Sequence, residues 1–307
     1  MENVPKEITV QNKTKKGIFL AILAAAFYAL NAPFSKLLLE FMPERLMAGF
    51  LYLGAGICMA AVGLVRLAVG KKDSESRLTS KDLPYTAAMI LLDIAAPICL
   101  MAGLKTTAAA SAALLNNFEI VATAIIALAV FREHISPRLW LGIIFITLSC
   151  TVFSVENIDG ISFSGGSLLI LLAGGLWGLE NNCTRKISSK DPLHIVLLKG
   201  IFSGAGSVIF GLLCGERISE WWCALAALAL GAAAYGLSIF FYIYAQRFLG
   251  AARTSAYYAV APFIGAALSF LILNEHPGKN FRLGLLLMLV GAVLSASDNM
   301  SFRRKKC

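Results

Sequence analysis

Histidine is almost missing from this chain: there are three in 307 residues, at positions 134, 194 and 276. Charge is also scarce, with 15% of residues Asp, Glu, Lys or Arg, against about 25% in ordinary globular proteins. The seven cysteines form no CxxC pair, and no HExxH, GxSxG or glycine-rich nucleotide cradle occurs. Zinc centres, serine-hydrolase elbows and nucleotide enzymes need their ligands or backbone donors at those fixed spacings, so each loses its support. No metal and no cofactor are implied. The longest connection between apolar runs, 70–82, is too short for a soluble catalytic domain. Six of the cysteines (58, 99, 150, 183, 214, 223) lie in or beside apolar runs, where a thiol acts as a small hydrophobe, and reduced thiols are expected. Cys214 and Cys223 flank one short loop and could pair only where that side is oxidising.

What the chain has in abundance is apolar surface. Hydrophobic residues make up 58% of it, and mean hydropathy is +0.74. A hydrocarbon core of ~30 Å needs about 20 residues of apolar helix. Runs of that order, bounded by charge, proline or glycine clusters, fall at 17–38, 46–69, 83–104, 107–131, 137–155, 166–187, 191–213, 221–246, 251–274 and 282–298. They are too long for barrel strands and do not alternate apolar with polar, which leaves helices. The expected fold class is all-α, a polytopic membrane protein of ten transmembrane helices. Residues 1–16 form an N-terminal tail and 299–307 a basic C-terminal tail. The first run continues past Ala24-Ala25-Ala26 to Leu39, longer than a signal-peptide core, so it is read as a retained span.

Ten crossings put both termini on one side. That side collects twenty of the 27 Lys and Arg residues, among them Lys13, Lys15, Lys16, Lys71, Lys72 and the Arg303-Arg304-Lys305-Lys306 tail. The other side has six: Lys36, Arg45, Lys105, Arg217, Lys279 and Arg282. Basic loops stay cytoplasmic, so both ends are expected in the cytoplasm of a cell (plasma) membrane. The net charge of +9 then reads as contact with anionic lipid, and nucleic acid is not needed as a partner.

The chain also repeats itself. Phe27-Tyr28-Ala29-Leu30-Asn31-Ala32-Pro33-Phe34-Ser35-Lys36 in the first span parallels Leu176-Trp177-Gly178-Leu179-Glu180-Asn181-Asn182-Cys183-Thr184-Arg185 in the sixth, at an offset of 149. Glu133-His134 with Leu141-Gly142 returns as Glu275-His276 with Leu283-Gly284 at an offset of 142, and Lys105 falls on Arg247. Five spans per half is an odd number, so the second copy enters the membrane from the opposite side. The halves, 17–155 and 166–298, are expected to form inverted five-helix repeats around a central cavity.

With the Ala-rich starts of spans 4 and 9 (Thr107–Ala113, Ala251–Ala256), this layout resembles the ten-helix, EamA-type transporters of the drug/metabolite transporter superfamily. The resemblance covers almost the whole chain. It implies a cavity between two bundles, alternating access, and export of metabolites, amino acids or drugs, without naming a substrate. The related four-helix multidrug transporters couple to protons through a carboxylate in their first helix. Here that span offers only Asn31, and Glu180 holds the matching place in span 6.

Ionisable side chains deep in apolar spans cost ~2.5–3.5 kcal/mol each unless paired or hydrated. Asp93, Glu119, Glu180 and Lys199 are the four, in spans 3, 4, 6 and 7. Three acids and one base cannot all pair, so at least one acid is hydrated, neutral or matched by a cationic ligand. The plainer alternative is a static polar lock between helices, with Arg185 and Lys186 solvating Glu180 at the inner end. Asn116 and Glu119 share a helical face while Asn117 points about 100° away, and Asn181 adjoins Glu180. Tyr28 and Trp177, at matching repeat positions, and Tyr258 could stack on a solute or hold a cation. The site candidates are therefore Tyr28, Asn31, Asp93, Asn116, Asn117, Glu119, Trp177, Glu180, Asn181, Lys199 and Tyr258. Trp221-Trp222 read as interfacial anchors, and Pro33, Pro97 and Pro262 as interruptions of spans 1, 3 and 9. The expected function is secondary active export of small metabolites, amino acids or amines, with a small-molecule substrate, membrane lipid and protons as partners. A monomer and a homodimer both fit. The alternatives are a facilitative uniporter or importer, a channel, an intramembrane enzyme and a receptor-like scaffold.

Overall fold

The computed structural model describes residues 6–69, 78–132, 135–157, 162–187, 190–218, 220–249, 254, 257–276 and 280–304. Glu133-His134, most of the 70–82 connection and most of the Ala251–Ala256 stretch lie outside the described residues. Span 1 is built from α1 (Lys6–Ala29) and α2 (Asn31–Leu38), and span 2 from α3 (Glu44–Ala68). The further α-helices with described bounds are α4 (Leu83–Thr106), α5 (Ala109–Leu115), α6 (Phe118–Phe131), α7 (Pro137–Ser154), α8 (Gly165–Lys186), α9 (Pro192–Leu198), α10 (Gly204–Leu213), α11 (Trp221–Gly231), α12 (Ser238–Leu249), α13 (Ala261–Leu273) and α14 (Phe281–Arg304). Two π-helical turns, Lys199–Ser203 and Ala232–Leu237, run in line with spans 7 and 8. A short antiparallel pair, β1 (Val155–Asn157) and β2 (Ser162–Phe163), joins α7 to α8.

Among the described residues, seven helical stretches are long and apolar enough to cross a membrane, and α13 and Phe281–Ala296 are shorter apolar helices. The 22-residue α8 carries Glu180, Arg185 and Lys186 in its second half. The chain is therefore a helical, multi-pass membrane protein. Large apolar side chains such as Leu64, Leu213, Leu225 and Leu271 are exposed, as a lipid-facing surface requires.

Local chemistry sets several boundaries. Ser136 Oγ accepts from the Leu139 amide at 3.1 Å and Pro137 supplies the first helical position, so α7 begins there. Asp191 Oδ1 does the same for α9 through the Leu193 amide at 2.9 Å, ahead of Pro192. At the other ends, α6 and α13 stop on left-handed residues, Arg132 (φ 53°) and Asn274 (φ 54°). These two lie one position before the Glu-His pairs of the repeat.

One expectation about prolines needs correction. Pro97 does not interrupt span 3, because α4 runs through it; span 9 does break, at the 259–260 turn, and Pro262 stands just after the break near the start of α13, where its missing N–H is not needed. Span 4 is broken where no proline stands, at the Asn116-Asn117 turn between α5 and α6.

Packing runs mostly across the two halves of the sequence. Span 3 lies on span 6, span 5 on span 10, span 1 on spans 8 and 9, and span 2 between spans 7 and 8. Span 2 is held closely because small residues let backbones meet. A Cβ on Gly231 would fall on the Leu51 carbonyl, and one on Gly54 would fall on the Leu228 carbonyl.

Candidate functional site

The first cluster forms where spans 3, 6 and 7 meet. Lys199 opens the π-helical turn of span 7, a distortion frequent at functional positions because it widens the helix and redirects a side chain. Its Nζ stands 3.1 Å from Asp93 Oδ2 and 3.1 Å from Glu180 Oε1. Both carboxylates are sealed, with side chains 0% and 1% exposed, and Lys199 is 18% exposed. The Asp93 contact is within ion-pair distance but lacks hydrogen-bond alignment, so it is chiefly electrostatic. The other carboxylate oxygen, Asp93 Oδ1, accepts from the Tyr52 hydroxyl at 2.9 Å, and Trp177 Nε1 donates to Tyr52 Oη at 3.2 Å. Thr184 Oγ1, one turn further along α8, donates to Glu180 Oε1.

A second cluster joins spans 4 and 6. Asn181 Nδ2 donates to Glu119 Oε1 at 2.6 Å and to Thr123 Oγ1 at 3.3 Å. Asn182 Nδ2 donates to the Gly178 carbonyl at 2.8 Å and the Thr123 carbonyl at 3.1 Å. Gly178 makes this approach possible, since a Cβ there would meet Ala122 and the Thr123 amide.

Tyrosines make the third cluster. Tyr28 Oη accepts from Asn116 Nδ2 at 2.6 Å, and Asn31 Nδ2 donates to Tyr235 Oη at 3.1 Å. The Tyr28 ring lies 6.0 Å from that of Tyr235 and 5.9 Å from that of Tyr258, and Tyr235 lies 5.3 Å from Tyr52. Ser238 Oγ, which donates to the Ala24 carbonyl at 2.9 Å, is 3.2 Å from Tyr258 Oη. A narrow crevice, with room for about one water molecule, adjoins this cluster, lined by Tyr28, Asn31 and Asn116 among small apolar residues of spans 1, 3, 4 and 9. Asn116 lines this crevice, and its Oδ1 is buried with no partner, an unsatisfied acceptor of the kind that calls for an explanation.

Ten of the eleven expected residues thus fall into these three clusters. Asn117 is set apart: it is buried, and its Nδ2 has no partner. The shared face expected for Asn116 and Glu119 is not used. The turn between α5 and α6 sends Asn116 to span 1 and Glu119 to span 6. Tyr52 and Tyr235 escaped the sequence reading. For Tyr52 the available sign was a lone hydroxyl in an otherwise apolar span, which must find a partner when buried, whereas Tyr235 shares its span with Ser238, Tyr242 and Tyr244 and carries no such mark. Tyr52→Phe removes both the donor to Asp93 and the acceptor of Trp177, and it is expected to cost about 1–3 kcal/mol. Thermal unfolding of the detergent-solubilised protein measures this, and an unchanged midpoint would show the hydroxyl to be idle.

No group of three or more His, Cys, Asp or Glu able to hold a metal exists among the described residues. The described cysteines are free, and Cys223 is buried where Cys214 is exposed.

This arrangement, charge and hydroxyls held between closely packed apolar spans beside a crevice, can be set against known proteins. A protein of Methanothermobacter thermautotrophicus described as an uncharacterized transporter is 25% identical over 296 residues, covering 91% of this chain and 85% of its own. The Bacillus subtilis uncharacterized transporter YyaM is 25% identical over 250 residues, covering 78% and 80%. One solved crystal structure aligns over 95% of this chain and 99% of its own with a TM-score of 0.61 at 19% identity, a likeness of fold. These relatives are named as transporters and not as enzymes. The EamA-like transporter family matches twice, over residues 15–155 and 164–297. Two matches that together span nearly every helix described above make the chain a member of the EamA-like transporter family.

Proposed function

We propose that the protein is a secondary active transporter that exports small amines, amino acids or related metabolites from the cytoplasm by alternating access. In this reading the two stretches matched by the family are inverted repeats, both termini are cytoplasmic, and the membrane is the cell membrane. The observation that carries it is the charge imbalance. Asp93, Glu119 and Glu180 share one buried cation, Lys199, which touches two of them and leaves Glu119 to the neutral amide of Asn181. A carboxylate held this way in lipid is matched by a proton or by the ammonium group of a solute. Asn116, Tyr28 and Asn31 on the crevice wall supply hydrogen bonds and an aromatic face to the same solute.

A second reading is favoured by the crevice itself, whose lining holds no carboxylate. A facilitative uniporter for a neutral metabolite needs none. Reconstitution in liposomes separates the two. Amines and amino acids are offered under a substrate gradient alone and then under an imposed pH gradient, and proton-linked flux of an amine supports the export reading. Flux of neutral solutes only, indifferent to the pH gradient, would replace it with the uniporter.

A further inference from the structure

The turn between spans 3 and 4 is held from two sides by residues distant in sequence. Lys36 Nζ, near the end of α2, donates to the carbonyls of Leu104 at 2.6 Å, Lys105 at 3.0 Å and Thr107 at 2.9 Å. An ammonium group has three donors, and all three are spent on the open end of α4. Glu275 accepts from the other side of the same turn, from the amides of Ala109 at 2.7 Å and Ala110 at 3.0 Å. The residue at the usual capping place, Ala108, has no side chain able to do this. Left-handed Asn274 ends α13 immediately before Glu275.

The two walls of the crevice give these contacts a meaning. One wall is spans 1 and 9, through Tyr28, Asn31, Pro262 and their neighbours, and the other is spans 3 and 4, through Leu100, Leu104, Ala112, Ala113 and Asn116. Lys36 belongs to span 1 and Glu275 follows span 9, so both arms come from the first wall and grip the turn of the second. Leu104 takes part in both, lining the crevice with its side chain and holding Lys36 with its carbonyl. The walls cannot separate at this end while the five hydrogen bonds persist.

We propose that Lys36 and Glu275 form a latch that closes the crevice on the face opposite the chain termini, and that its release admits exchange with that side. This rests on the alternating-access reading, but not on any substrate. Opposite charges on the two flanks of one turn suit a reversible clamp, since each charge complements the helix end that it holds and can be hydrated when released.

The test uses the full chain in proteoliposomes with Ala113→Cys on the crevice wall and a membrane-impermeant maleimide added from the face opposite the termini. Exposed Cys214 is the internal reference for that face, because Glu216 beside it pairs with Arg45 at 2.7 Å at the start of α3. Peptide mass spectrometry reads each site separately. In both Lys36→Met and Glu275→Gln, labelling at 113 relative to Cys214 is expected to rise about five-fold, the mark of a shifted population, and Lys36→Arg should return it toward the parent value. Unchanged labelling at 113 in both variants, with Cys214 labelled normally, would overturn the latch. So would an equal rise when the reagent is on the side of the termini, because that is general loosening. Glu119-dependent amine flux together with unchanged labelling removes the latch and leaves the transport reading intact. A one-sided rise in labelling with no amine flux supports the latch while removing the substrate assignment.

Discussion

Lys199→Met is expected to lower the thermal midpoint of the solubilised protein by on the order of 10 °C. It removes the one cation within 3.1 Å of both Asp93 and Glu180, whose side chains are 0% and 1% exposed. Breaking a buried ion pair by deleting one partner costs about 3–5 kcal/mol, because the other charge stays buried without compensation. In a chain of this size each kcal/mol moves the midpoint by roughly 2–4 °C. The three partners sit on three spans, so the strain falls on the packing of α4 and α8 and on the π-helical turn of span 7. The companion variant is more telling. Adding Asp93→Asn and Glu180→Gln to Lys199→Met should recover most of the loss, since neutral amides need no counter-ion. A Lys199→Met protein that melts within a degree or two of the parent would show that the carboxylates are held neutral and that Lys199 does not bind the three spans together.

Glu119→Gln should leave the midpoint nearly unchanged and reduce amine flux by about a hundred-fold. The substitution keeps the length of the side chain and an oxygen that can still accept from Asn181 Nδ2, 2.6 Å away in the parent. What it removes is the charge. Losing one member of a desolvated ion pair costs about 2–5 kcal/mol of interaction, and about 2.7 kcal/mol is two powers of ten in affinity. Flux at saturating and at low substrate distinguishes a binding defect from a defect in turnover. If flux and its pH dependence are both untouched, Glu119 is a structural partner of Asn181, and the solute is recognised by Tyr28, Asn31 and Asn116 alone.

The ionisable residues were legible in the sequence because lipid makes each of them costly, so any Asp, Glu or Lys deep in an apolar run stands out. Asp93, Glu119, Glu180 and Lys199 were found on that ground. Which acid the lysine would choose was not legible. The candidate partner for Glu180 was Arg185, one turn on in the same helix, whereas Lys199 from the next span and Thr184 from its own helix take that place. Tyr52 and Tyr235 were missed for a related reason. A tyrosine in a span is ambiguous until its hydroxyl is seen to meet Asp93 or Asn31. Lys36 stands out in the sequence only as an outer-side charge that closes a repeated segment, and Glu275 only as half of a repeated dipeptide. Their common target, the turn at 104–110, lies 68 to 71 positions from Lys36 and 165 or 166 from Glu275.

The sequence by itself determined the solvent and the class. Its apolar runs have the length of a bilayer and its charges are too few for water, so a multi-pass helical protein was the available outcome. The repeated motifs and the family likeness came from the same source, since periodic and composition signals are properties of order along the chain. Only the tertiary structure decided the pairings: Lys199 between two carboxylates, Glu119 on Asn181, and Lys36 and Glu275 on one turn. Helix packing brings these distant residues into hydrogen-bond and ion-pair contact through the fit of small residues such as Gly54, Gly178 and Gly231 against neighbouring backbones. That fit depends on all the helices at once, and no local pattern encodes it.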